Sequence, residues 1–348
     1  MGEERAGTVE QVRAAVRDGG LLERGRALVA MLSGGRDSVC LLDVAVASCG
    51  AGSVRALHLN YGLRAAAGED ERYCAELCER LGVELSVVRA EPKPDAASGN
   101  LQAWARELRY EAAQRLAREL GEDALIATGH TASDQVETIL YRLAASPGRR
   151  ALLGMGAREG RLVRPLLGVA REQTAAYCRE RGLAWREDES NEDARFARAR
   201  VRARVVPALR EVHPAAEANV IRTAELLREE TELLDALVER ELGPRPPGAG
   251  GRGIALARLA ELPSALARMV VVRLAEEAVG SYVPQAGGRV QELLALGERG
   301  GRAELHVGGQ AGAVIEDGVL RMHRLPARDT RDASHMPSEV RGAPPDGD

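Results

Sequence analysis

Hydrophobic positions recur at helical spacing from about Val9 to Leu22 and then merge into an unbroken apolar run over residues 27–32. After a small polar loop they resume a helical rhythm to about Ser48. A short continuous apolar run bounded by turn residues reads as a buried strand. The same alternation returns downstream. Residues 54–59 and 84–89 read as strands, 68–81 and 101–120 as helices, 124–128 as a fourth strand and about 133–143 as a helix, with EPKPDAASGN (91–100) a loop. Strands alternating with helices at these spacings predict an α/β fold built on a doubly wound parallel sheet. Ligands of such sheets gather beyond the carboxyl ends of the strands. That rule brings residues 33–38, 58–61 and 129–134 to one edge, although they are far apart in the chain.

Past Pro147 the pattern changes: a short apolar segment at 162–167, a helix at about 169–181 and a strand at 183–186. Residues 191–237 look mainly helical, with breaks at Pro207 and at His213-Pro214, and GPRPPGAGGRG (243–253) reads as a linker. Helices near 255–279 and 284–296 and a hairpin pairing 303–307 with 313–322 complete the pattern. We therefore expect a first domain over 1–215, including a helical connector from about 190, and a smaller helical, α+β domain over 216–325. Residues 326–348, rich in Asp, Pro, Gly and Ser, are expected to be a disordered tail.

Composition narrows the function. Aromatics make up 3% of the chain and Phe196 is its sole phenylalanine, which argues against broad base-stacking platforms and leaves the core to Leu, Val, Ala and Ile. A net charge of -4 argues against indiscriminate nucleic-acid binding, so any such contact must come from a local patch. Residues 195–210 supply one: Arg195, Arg198, Arg200, Arg202, Arg204 and Arg210 stand there without an acid between them. Taken alone, such a run is a solvated helix face. The five cysteines contain no Cys-x-x-Cys pair and read as reduced, buried thiols, with Cys74 and Cys78 one helical turn apart for packing. An acidic N-terminus and the lack of any run of ~18 apolar residues lead us to expect a cytoplasmic protein without a secretion signal or membrane span.

Chemistry concentrates at the predicted sheet edge. In Ser33-Gly34-Gly35-Arg36-Asp37-Ser38, the adjacent glycines let backbone amides close around phosphate oxygens at a helix N-terminus. Ser33 and Ser38 offer hydroxyls, and Asp37 offers a carboxylate for Mg²⁺. No Gly-x-x-x-x-Gly-Lys-Ser/Thr motif occurs, so this is a different cradle from the common P-loop. His58 and Asn60 share one face of the second strand's end. His130 and Asp134 stand four residues apart, and Asp134 and Glu137 three apart, so Asp134 can align with both. A histidine beside a carboxylate can accept a proton near neutral pH, while a first-turn carboxylate also serves as a helix cap. Arg106, Arg109 and Tyr110 share a helix side, for surface ion pairs or for a polyphosphate.

The loop resembles the PP-loop of the adenylating ATP pyrophosphatases. With HLNYGLR, ARELRY, ATGHTASDQVETILYRL, LVRPLL and DESNEDARFARARVRARVVPAL it resembles the tRNA(Ile)-lysidine synthetases over about residues 25–225. The resemblance implies a cytoplasmic ligase that adenylates C2 of the wobble cytidine of the CAU-anticodon isoleucine tRNA. Free L-lysine then displaces AMP through its ε-amino group. It also implies ATP binding by Ser33, Gly34, Gly35, Arg36, Asp37 and Ser38, with His58 beside them and Mg²⁺ on Asp37. Catalytic roles would fall to Asp37, His130, Asp134, Arg106 and Arg109, lysine binding to Glu137, and tRNA contacts to Arg195, Arg198, Arg200, Arg202 and Arg204. The second domain would choose the tRNA, and a homodimer is a family expectation. Ser133 and Ala199 depart from the family pattern, which has Asp and Asn there. The alternatives are a tRNA thiolase of the same superfamily and a non-catalytic module that senses adenine nucleotide.

Overall fold

Leu28, Val29, Ala30 and Met31 are all buried, and successive residues serve different cores. Leu28 and Ala30 point into one apolar cluster, Val29 and Met31 into another. This is the signature of a central strand covered on both faces. The computed structural model describes residues 7–62, 67–90, 101–145, 148–187, 197–246 and 251–326. It comprises two compact units, residues 1–228 and 229–348.

In the first unit the elements run α1 (Thr8–Asp18), β1 (Leu28–Met31), α2 (Arg36–Cys49), β2 (Val54–Asn60), α3 (Ala67–Leu81), β3 (Glu84–Arg89), α4 (Leu101–Leu120), β4 (Leu125–Ala127) and α5 (Ala132–Ala145). They continue with α6 (Arg149–Leu152), β5 (Arg158–Glu159), β6 (Leu162–Val163), α7 (Arg171–Glu180), α8 (Ala197–Arg200) and α9 (Val206–Val212), and α10 (Ala216–Leu242) crosses the unit boundary. Sheet order is β3-β2-β1-β4-β6-β5, parallel throughout except for the β5–β6 pair. Helices α1, α2, α3 and α7 fill one face through Val12, Leu41, Leu42, Leu77 and Tyr177. On the other face α4 packs Ala113, Leu116 and Ala117 against Val29, Leu57 and Ile126. The expected doubly wound parallel sheet is therefore present, and β1, β2 and β4 end side by side.

A buried carboxylate ties the helices of the first face together. Asp43 of α2 accepts hydrogen bonds from Tyr177 Oη at 2.6 Å and from Arg181 Nε and Nη2 at 3.0 and 3.1 Å, and Arg13 of α1 lies 3.6 Å away. Burial alone would raise the pKa of Asp43, but the bonds from Arg181 and Tyr177 outweigh it and hold the group below its ordinary value. The effect is to fix α7 against α2.

The second unit holds β7 (Gly253–Ala255), α11 (Leu256–Glu261), α12 (Ser264–Val279), α13 (Val290–Glu298), β8 (Ala303–Gly308), β9 (Ala311–Glu316) and β10 (Val319–Arg324). Its antiparallel sheet runs β7-β10-β9-β8, and Val270, Val271 and Leu274 of α12 pack with Leu293, Ile315 and Leu320. The helical, α+β character expected from the sequence is correct, but its details need revision. The stretch 313–322 is two strands folded at Asp317 and Gly318, whose φ values of 51° and 72° make the two-residue turn that Asp-Gly favours in hairpins. The helix expected over 255–279 is two, because Leu262 precedes Pro263 and takes an extended conformation. In the first unit the break expected at Pro207 is present: α8 gives way to a π-helical turn at residues 201–205, and α9 restarts at Val206 with Pro207 in its first turn. One correction concerns this unit. Residues 183–186 are not a strand: the Arg186 amide bonds the Gly34 carbonyl at 2.9 Å, outside the sheet. The loop expected at 91–100 and the tail after 326 lie outside the described residues.

Candidate active site

At the carboxyl end of β1 the chain turns through Ser33, Gly34 and Gly35 into α2. Gly34 has φ +86°, a conformation that side chains disfavour. The loop's hydroxyls form a closed circuit. Ser38 Oγ donates to the Gly35 carbonyl at 2.8 Å and accepts from the Ser33 amide and the Ser33 hydroxyl at 3.1 Å each, while Ser33 Oγ accepts from the Gly35 amide at 3.3 Å. His58 is buried behind this loop rather than lining it. Its Nδ1 donates to the Leu32 carbonyl at 2.9 Å, and Cys74 Sγ lies 3.4 Å from the same nitrogen. The His58 ring thus braces the residue from which the loop departs.

The loop after β4 approaches the same helix start without a side chain in between. A Cβ on Gly129 would stand 3.0 Å from the Asp37 carbonyl carbon and oxygen and 3.2 Å from the Ser38 amide, so any side chain there would make the backbone of the loop yield. Next, Thr131 caps α5. Its amide and hydroxyl both donate to Asp134 Oδ2, at 2.8 and 2.7 Å. Capping uses only that oxygen, which leaves Asp134 Oδ1 facing the site.

What joins these pieces is Arg171, the first residue of α7. Its three nitrogens each meet a different carboxylate: Nε lies 3.7 Å from Asp37, Nη2 2.7 Å from Asp134 and Nη1 3.2 Å from Glu137. Burial would lower the arginine's pKa, but the three acids outweigh it, so its charge is locked in place. Asp134 shows the converse: burial raises its pKa, while Arg171 and the Thr131 bonds bring it below the ordinary value. Thr174, one turn along α7, donates to Asp37 Oδ1 at 2.5 Å, and Ser133 Oγ accepts the Arg171 amide at 3.3 Å. Ser133, one of the two departures from the family pattern, thus secures the start of α7.

His130 bonds Thr128 Oγ1 through Nδ1 at 2.8 Å. Burial pushes its pKa down to about 4, with Arg164, Arg106 and Arg198 adding to the fall and Asp134 opposing it. The imidazole is therefore neutral at pH 7 among three cations from separate segments. Arg106 stacks over the Tyr110 ring at 4.7 Å, and Arg109 turns to Tyr61 Oη at 3.1 Å. Arg164 is buried and grips Glu159 with Nη1 and Nη2, while its Nε finds no partner.

Of the arginine run, Arg198, Arg200 and Arg204 are exposed, and Arg195 lies outside the described residues. Arg202 turns inward and grips Glu137 with Nε and Nη2, at 2.6 and 2.9 Å. Beside that pair opens a cavity of 130 Å³ whose lining includes Ser133, Glu172, Arg210 and Glu217. Arg36 completes the charges, with Nε 3.3 Å from Asp37. Three carboxylates thus face three guanidiniums.

Sequence reasoning missed Arg171 and Thr174, and placed Gly129 at the site edge without a role of its own. One signal was available for Arg171: a cation in the first turn of a helix opposes the macrodipole and calls for a reason. Residues 7–209 match the PP-loop domain. The chain is 40% identical over 252 residues to the tRNA(Ile)-lysidine synthase of Thermus thermophilus, covering 72% of this chain and 48% of that protein. Against the tRNA(Ile)-lysidine synthase of Symbiobacterium thermophilum it is 36% identical over 307 residues, covering 84% of this chain and 64% of the relative. The chain therefore spans from about half to two thirds of the length of these relatives. Among solved structures, a tRNA thiolase of Methanococcus maripaludis superposes with a TM-score of 0.54 at 17% identity, covering 64% of this chain and 79% of that one, which is a likeness of fold.

Proposed function

The chain belongs to the PP-loop domain family, and on that premise we propose that it carries the catalytic part of a tRNA(Ile)-lysidine synthetase. ATP would adenylate the C2 oxygen of the wobble cytidine in the CAU anticodon of an isoleucine tRNA. The ε-amino group of free L-lysine would then form the C2–N bond as the C2–O bond to AMP breaks, with pyrophosphate and AMP as products. The observation that carries this reading is Arg171. One guanidinium draws the loop carboxylate Asp37 together with Asp134 and Glu137, the residues to which the family resemblance gives the second half of the reaction.

In the first step the amides of residues 33–38 and the start of α2 receive the leaving pyrophosphate. The phosphates would displace the Ser33 and Ser38 hydroxyls from their present circuit and take those bonds themselves. Asp37 and Asp134 offer oxygen donors of the kind that suits Mg²⁺, which takes one or two carboxylates and completes its shell with phosphate and water. When bound, the ion would neutralise charge on the phosphates.

For the second step, a neutral His130 can take a proton from the lysine ammonium without first losing its own. Its basicity is low before substrate binds, because burial and the charges of Arg164, Arg106 and Arg198 oppose protonation. Bound phosphates offset those charges, and the imidazole becomes a better base when substrate is present. Glu137 orients the ammonium, and exposed Arg198, Arg200 and Arg204 contact the tRNA backbone. The test is incubation of the chain with ATP, Mg²⁺, labelled lysine and a CAU isoleucine tRNA transcript. Label should enter the wobble cytidine with stoichiometric AMP and pyrophosphate. If no label enters, the reading fails.

A further inference from the structure

Arg202 belongs by sequence to a run of arginines suited to phosphate contacts, yet its guanidinium is spent on Glu137. The pair is a bidentate fork at 2.6 and 2.9 Å, and the same Nη2 comes within 3.9 Å of Asp134. Its neighbours Arg198, Arg200 and Arg204 are exposed. The backbone beneath it is also exceptional. Residues 201–205 form a π-helical turn between α8 and α9, a local irregularity of the kind that concentrates at functional sites. A π turn carries one residue more than an α turn, so shifting that residue along the helix rotates the side chains around it without breaking the helix. Arg202 lies within this turn.

We propose that Arg202 is a built-in competitor for the lysine ammonium, closing Glu137 until the tRNA backbone draws it away. The proposal rests on the lysidine-synthetase reading and adds to it a coupling between the two substrates. Asp37, Asp134 and Glu137 already face Arg36, Arg171 and Arg202. A further cation can settle on Glu137 only by displacing one of them. Arg171 is held by three acids at once, so Arg202 is the one that can leave. A phosphate backbone running past Arg198 and Arg204 offers it an equivalent anion outside. Lysine would then reach Glu137 from the adjoining cavity only when an acceptor nucleotide is in place. The amine is thereby kept away from ATP until a cytidine is there to be activated.

Lysine affinity separates this gate from a static ion pair. The full chain is titrated with labelled lysine in equilibrium dialysis, without tRNA and with a CAU isoleucine tRNA transcript, for the native protein and for Arg202→Gln, Arg202→Lys and Arg204→Gln. The native chain should bind lysine about tenfold more tightly with tRNA, since apparent affinity scales with the open fraction. Arg202→Gln should show the tighter affinity without tRNA and lose the coupling. Arg202→Lys, which keeps a cation opposite Glu137, should retain much of it. Arg204→Gln should weaken tRNA binding and leave tRNA-free lysine affinity at the native value. Unaltered tRNA-free affinity in Arg202→Gln would overturn the gate, as would equal weakening with and without tRNA. Either result in a chain that incorporates lysine sinks the gate alone, whereas a native chain that incorporates none sinks the reading beneath it.

Discussion

Replacing Arg171 by leucine tests the central claim about the site without requiring turnover. The substitution keeps an apolar stem at the start of α7 and removes the charge that three carboxylates share. Breaking a buried ion pair by removing one partner costs about 3–5 kcal/mol when the other charge is left stranded. Here the burial is incomplete: Arg171 is 19% exposed, and Asp37 and Asp134 are 22% and 23% exposed. Glu137, 5% exposed, keeps its fork to Arg202. The loss should therefore sit below that range, at about 2–3 kcal/mol. For a unit of this size that lowers the melting temperature by roughly 4–12 °C. A second signature is specific to the geometry. With the guanidinium gone, Asp37 and Asp134 are left as oxygen donors without their shared cation, so Mg²⁺ should raise the variant's melting temperature more than the native one's. Arg171→Lys should recover only part of the loss, because a point charge cannot fork to three acids. Melting at pH 7 by circular dichroism, with and without millimolar Mg²⁺, reads both effects. A leucine variant within about 0.5 kcal/mol of native, the usual range for a surface change, and indifferent to Mg²⁺ would refute the reasoning.

The remaining predictions concern pH, packing and salt. His130 has a folded pKa of about 4 against 6.5 for the free side chain, so the unfolded chain binds its proton more readily. Its contribution to stability should be intact above pH 6.5 and fall as pH drops from there toward 4, by up to about 3 kcal/mol; urea midpoints across that window should slope less in His130→Asn. Gly129→Ala places a methyl 3.0 Å from the Asp37 carbonyl, where backbone must yield. It should cost about 1–3 kcal/mol and weaken ATP binding more than lysine binding, as calorimetry of each ligand would show; equal losses would mean the loop had not moved. Arg198→Ala with Arg204→Ala should lower the slope of log affinity against log salt for tRNA by about one for each phosphate these arginines engage, and unchanged slopes would return both side chains to the role of a solvated face.

How far the sequence discloses this site depends on the range of the interactions involved. The β1–loop–α2 unit is legible because its signals are local: an apolar run, two glycines and a helix start within about a dozen residues. Parallel order is legible too, since alternating strands and helices leave few other topologies. The convergence of Asp37 with His130 and Asp134 follows from that topology alone. Arg171 is different. It lies 134 positions after Asp37 in the chain, and the one local signal, a cation in the first turn of a helix, says nothing of which acids it meets. Arg202 misleads for the same reason, because its neighbours are exposed and the break expected at Pro207 does not say which arginine of the preceding π-helical turn points inward. The Asp317-Gly318 turn shows the opposite failure. Its signal was present in the sequence, but the apolar residues on both sides read as one strand.

The preference for arginine over lysine within this site has a chemical consequence that composition alone conceals. Lys93 is the only lysine among the 48 basic residues, so Arg36, Arg171 and Arg202 are the cations nearest the three carboxylates. A cytidine activated at C2 is an electrophile, and the proposed reaction depends on one amine reaching it. An internal lysine there would be a second amine, tethered at high effective concentration and able to react in place of the free amino acid. A guanidinium supplies the same positive charge, stays protonated at any working pH and offers hydrogen bonds without a nucleophilic lone pair. It can therefore hold Glu137 closed, and later contact phosphate, without joining the reaction. The Arg202→Lys variant separates these two properties of a cation: it keeps the charge that competes for Glu137 and introduces the nucleophile that the native site excludes.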